Sequence, residues 1–129
     1  MLDHWGKLAV KQLNMKSLAE IESWLGQPLP EPYRNFLAAT ALSFLAANDR
    51  TLVYGCDALI ERNETYESQA YCPGHLMVGD DSGGAALVMS LADGSIHQVG
   101  LGSMTPDCFE LISGSFDKWA AAGYPHGQS

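Results

Sequence analysis

One pair of residues, Asp93-Gly94, constrains this chain more than any other, because it stands between two apolar runs of strand length, Ala85 to Leu91 and Ser95 to Leu101. Asp and Gly tolerate the positive φ values of a tight type I′ turn, so the two runs read as one antiparallel hairpin. A two-residue loop there sets Leu91 opposite Ile96 and Val88 opposite Val99. A third strand, His75 to Val78, precedes them, and Thr51 to Tyr54 reads as a fourth after an Asn-Asp turn signal. Cys108 to Ile112 adds an edge strand after Pro106.

Helical signals lie on either side of these strands. Leu2, Trp5, Leu8 and Ala9 suggest a weak first helix despite Gly6. Ser17 to Glu20 has the form of a capping box, followed by an apolar stripe of Leu18, Ile21, Trp24 and Leu25 and a stop at Gly26. Pro30 and Pro32 open a second helix, along which Tyr33, Phe36, Leu37, Ala41, Phe44 and Leu45 recur at intervals of three and four. Asp57 is placed to cap a helix that carries Glu61, Glu64 and Glu67 outward and ends at Pro73-Gly74. Ser115 caps a last helix with Phe116, Trp119 and Ala120 on one face, and the final six residues read as frayed. Hairpin linkage without regular strand-helix-strand alternation gives an α+β fold, a mostly antiparallel central sheet flanked by helices, as a single domain over 1–129.

Charge narrows the function. Residues 1–48 hold four acids and four bases, whereas residues 49–117 hold eleven acids against Arg50 and Arg62, a net of −9 in one stretch. Binding nucleic acid through its phosphates requires clustered cations, so that class is excluded. The longest uncharged run, 35–48, is shorter than the ~20 apolar residues of a membrane helix. No basic start followed by an apolar run marks a secretory signal, and three unpaired-looking cysteines, Cys56, Cys72 and Cys108, suit a reducing cytoplasm.

The loop Gly79-Asp80-Asp81-Ser82-Gly83-Gly84 invites two chemical readings. Its Asp-Ser-Gly-Gly core resembles the nucleophile loop of serine proteases, with His75 as the base a hydrolase would need. The chain is too short for that fold, and no partner acid for His75 is marked. Calcium would need six to eight oxygens, commonly in an alternating Asp-x-Asp pattern that is missing. His4, His75, His97 and His126 share no ligand spacing. No catalytic, metal or cofactor residues are therefore assigned. Asp80, Asp81, Ser82, Glu61, Glu64 and Glu67 are expected instead on exposed surface, as contacts for a protein partner, with the loop acids solvated and of little weight in stability.

Several stretches together resemble the SUKH superfamily. They are Ile21-Glu22-x-x-Leu25-Gly26-x-x-Leu29-Pro30-x-x-Tyr33-Arg34-x-Phe36-Leu37, Asn63-Glu64-x-Tyr66-Glu67 with Tyr71-x-Pro73-Gly74, Val78 to Gly84 with Leu87-Val88-Met89, Asp93-Gly94, and Ser115-Phe116-x-x-Trp119, in order over 17–122. Where the family shows an Asn-Gly pair after its second helix, this chain reads Ala39-Thr40-Ala41-Leu42. The resemblance implies a non-enzymatic binding domain and, in bacteria, an immunity protein that neutralises a toxin, often a nuclease. A regulatory or scaffold module, as in fungal relatives, is the other reading. A hydrolase using Asp81, Ser82 and His75 is the weakest.

Overall fold

A computed structural model describes residues 17–127 of the chain. The weak helix expected over the first sixteen residues lies outside the described residues. Helix α1 (Leu18–Leu25) begins as the sequence predicts: the Ser17 hydroxyl accepts from Glu20 N, the Glu20 carboxylate accepts from Ser17 N, and Gly26 closes the helix at φ +84°. Helix α2 (Glu31–Ala38) is held beside it by Glu22, whose carboxylate takes the Leu29 N–H at 2.8 Å and pairs with Arg34 at 3.3 Å.

Helix α2 ends where the sequence pattern would have carried it on. Thr40 donates its hydroxyl to the Phe36 carbonyl at 2.7 Å and the chain turns into β1 (Phe44–Leu45), so Ala41, Phe44 and Leu45 are not helical. An apolar spacing of three and four cannot separate a helix end from a short strand, and here pairing with β2 (Leu52–Val53) decides it.

Helix α3 (Leu59–Thr65) and the single turn α4 (Ser68–Tyr71) replace the one acidic helix expected. They are separated by Glu67 in the left-handed region, φ +53°. Asp57 does not cap α3. Its carboxylate accepts from the Ser43 N–H at 2.9 Å and hydroxyl at 2.8 Å, tying β1 to the segment before α3.

Strands β3 (His75–Asp80), β4 (Ala85–Ser90), β5 (Ile96–Gly100) and β6 (Glu110–Ser113) complete a six-stranded antiparallel sheet in simple sequence order. The β4–β5 register differs from that expected: Met89 lies opposite Ile96 and Ala86 opposite Val99. Ser90 pairs with Ser95, so residues 91–94 form a four-residue loop, and Asp93 binds the Ser95 N–H and hydroxyl rather than occupying a two-residue turn. The shift is by two residues, which leaves every side chain on its expected face.

The sheet interior is apolar on both sides. Leu76, Met77, Val78, Ala86, Leu87, Val88, Met89 and Ile96 are all fully buried. Helix α5 (Phe116–Ala121) starts with the Lys118 N–H on the Ser115 hydroxyl and buries Phe116 and Trp119 beside Tyr33 and Phe36. Residues 124–127, expected to fray, are packed. Tyr124 meets Trp119 edge to face at 5.0 Å, Pro125 accepts the Trp119 indole N–H at 2.8 Å, and Gly127 N donates to Gln98.

Candidate functional site

The acidic residues singled out by sequence separate into two places. On the α3 side, Glu61, Glu64 and Glu67 are exposed, as expected. Glu61 accepts from Arg62 and from the Thr65 hydroxyl, and these bonds, Arg62 first, hold its carboxyl below the ordinary glutamate range. Glu64 accepts the Trp24 indole N–H at 3.3 Å, joining α1 to α3. Asp80 belongs to this side: its Oδ2 accepts the Tyr54 hydroxyl at 2.7 Å, and Tyr54 in turn lies within reach of Arg62 and Tyr66. Burial first and the Asp80 contact second push the Tyr54 phenol far up. Asp80 is therefore half-buried rather than solvated.

Behind this surface lies a fixture that the sequence does not advertise as such. Asn63, part of the Asn-Glu motif, is fully buried on the inner face of α3. Its side chain donates to the Leu59 and Met77 carbonyls at 2.8 and 3.0 Å and accepts from Met77 N at 2.8 Å and from the Ser68 hydroxyl. One amide thus welds α3, α4 and β3 together beside the bulge between Met77 and Gly79.

Asp81 corrects the sequence expectation outright. It is 1% exposed, not solvated at a loop tip. Its Oδ1 accepts the N–H groups of Gly83 at 2.8 Å and Ala85 at 3.0 Å, closing the loop between β3 and β4. Asp80 is the last residue of β3, and Asp81, just past it, turns its carboxylate back onto the amides of its own loop. Ser82 is exposed, at φ +62°, and its hydroxyl donates to the Arg50 carbonyl at 2.7 Å.

That geometry does not assemble a hydrolase. His75 opens β3 and Ser82 lies two residues past its other end, with the length of the strand, roughly 17 Å for five steps of extended chain, between them. His75 instead meets Phe109 at 4.9 Å and His97 at 6.3 Å between ring centroids, a cross-strand grouping that linear spacing could not reveal. Among the described residues no group of three or more His, Cys, Asp or Glu could hold a metal ion. Cys56 and Cys72 are buried, and burial raises both thiols above their ordinary range.

The profile of the SMI1 / KNR4 family (SUKH-1) matches residues 13–122, more than half of the chain. The chain belongs to this family. In SUKH-1 terms the Gly-Asp loop and the Asn-Glu segment of this member are now placed: the first closes β3 onto β4, the second anchors α3 to the sheet. A search of curated proteins finds no match. Among the described residues no helix is long and apolar enough to cross a membrane.

Proposed function

We propose that this SUKH-1 domain is a non-enzymatic binding protein that neutralises a toxin, and that it meets a basic partner, such as a nuclease domain, through the acidic side of α3. The reading is carried by the exposed Glu61, Glu64 and Glu67, with Asp80 behind them and Arg62 already engaged by Glu61. Nucleases attract phosphate and so tend to be basic, and an acidic inhibitor both speeds encounter and covers the substrate groove. Family membership supports a binding role, and a cytoplasmic site of action follows from the reading. Asp81, once grouped with these contacts, is left out because its buried carboxylate closes a loop.

The test is co-expression. Where a secreted toxin with a basic C-terminal domain is encoded beside this gene, cells producing that domain should survive when this chain is present and fail when it is absent. Substituting Glu61, Glu64 and Glu67 together with Gln should reduce protection at unchanged protein level. Equal protection by the substituted chain would remove α3 from the interface.

A further inference from the structure

Trp24 and Glu64 do more than tie α1 to α3. Their hydrogen bond links the two walls of a groove of about 610 Å³, lined by Ala19, Glu20, Ser23, Trp24, Ile60 and Glu64. Three helical rows make it. Ala19 and Ser23, four apart and both exposed, are small enough to keep the α1 wall low. Glu20 and Trp24 form a second row of α1, and Ile60 and Glu64 form the row that α3 contributes. Trp24 and Ile60 are half-buried, so each packs on the core with one side and shows apolar surface with the other.

The groove therefore sets an indole and an aliphatic side chain between two exposed carboxylates, and among the described residues no base lines it. The Trp24 N–H reaches Glu64 through Oε2 at 3.3 Å, which holds ring and carboxylate against each other without neutralising the charge. Arg62, the one base of α3, is engaged by Glu61. An apolar patch flanked by acids complements a ligand of the inverse pattern, an apolar surface that ends in a cation.

We propose that this groove docks a basic amphipathic segment of the partner. An arginine lays its stem on Ile60 and Trp24 and brings its guanidinium to the indole face and Glu64, beside an apolar side chain one helical turn away. Arginine suits the site because its stem covers apolar surface while its planar head both stacks on an aromatic ring and meets a carboxylate. A groove of this volume also has room for the second side chain, as when an amphipathic helix lies in a groove. The proposal rests on the reading of a basic partner and deepens it. The glutamates of α3 draw the partner in, and the groove gives it one seat.

The probe is an Ala-rich peptide of about 20 residues, long enough to be helical in water, with one Leu and one Arg four apart. Titrated into the full chain carrying nitrogen-15 at its tryptophans, it should move the Trp24 indole N–H resonance, assigned with Trp24→Phe, in a saturable way. Citrulline in place of the Arg, or Ser in place of the Leu, should weaken binding several-fold. Glu64→Gln keeps an acceptor for the indole and should weaken binding several-fold, whereas Glu67→Gln, the same charge change outside the groove, should weaken it far less. Ala19→Trp should fill the groove from an exposed position and abolish binding, with thermal midpoints unchanged in all three variants. Absence of a saturable shift in the native chain would overturn the proposal, as would equal binding of the citrulline peptide or undiminished binding by Ala19→Trp. Equal losses in Glu64→Gln and Glu67→Gln would leave only a diffuse acidic field and overturn it too. So would a Trp5 resonance that moves in step with that of Trp24, which would make the chain's own first residues the occupant. No toxin enters this titration, so its failure beside intact protection removes the groove alone, and lost protection beside a saturating titration removes the toxin alone.

Discussion

At the scale of single residues, polar side chains that look like surface chemistry in the sequence turn out to differ by what they touch. Asn63 makes four hydrogen bonds in a buried site, and removing it strands the Met77 N–H and carbonyl and the buried Ser68 hydroxyl. Asn63→Ala should therefore cost about 3 kcal/mol, read as a lower urea midpoint with little change in slope. His97 gives a pH test. Burial first, and the neighbouring His75 second, hold its pKa below the ordinary imidazole value, against a smaller opposing pull from Asp93. The unfolded chain then binds the proton more readily than the folded one. Its effect is absent above the ordinary value of about 6.5 and becomes destabilising as pH falls from there toward the folded value. His97→Gln should flatten that part of a stability profile taken by thermal denaturation, and an unchanged acid limb would deny His97 the role. Composition and spacing revealed the acids but not their environments: Asp80 and Asp81 look alike in sequence, yet one faces Tyr54 and the other closes a backbone loop.

At the scale of elements, local signals were legible wherever a cap or turn residue acts on its own neighbours. The Ser17–Glu20 box, the Gly26 stop and the Ser115 cap all form as read. Signals that depend on a distant partner were not legible. Asp57 caps nothing because Ser43 reaches it first, and α2 stops at Ala38 because β1 pairs with β2. The same limit hid the importance of Gly79, which reads as the first residue of a flexible loop but lies within β3. A Cβ there would stand 2.6 Å from the Leu52 carbonyl oxygen, a backbone atom that cannot move away cheaply. Gly79→Ala should part β2 from β3 and cost at least about 2 kcal/mol in chemical denaturation. A neutral result would mean that the β2–β3 pairing is looser than its register suggests. By contrast, Gly94→Ala meets only a contact at 3.9 Å and should cost about 1 kcal/mol, through its φ of +77° alone.

At the scale of the whole molecule, the acids divide by environment. The side with α3 carries exposed glutamates, whereas the carboxylate of Asp81 is buried on the amides that close the β3–β4 loop. Of the eleven acids between Asp49 and Asp117, eight are exposed, so most of the −9 counted from sequence reaches the surface where a partner can feel it. The excess of acid was legible in the sequence. Its division between exposed glutamates and a buried aspartate was not, because that burial follows from how the β3–β4 loop closes, which no spacing rule marks. The most direct measurement is the association rate of this chain with a basic nuclease-toxin domain of the kind proposed as its partner, taken by stopped flow at low and high salt for the native chain and for Glu61→Gln/Glu64→Gln/Glu67→Gln. The native rate should fall steeply as salt shortens the Debye length from ~30 Å toward ~3 Å, the substituted chain should be several-fold slower at low salt with an unchanged thermal midpoint, and the two rates should converge at high salt. Identical rates and salt slopes for the two chains, or no association at all, would contradict the account.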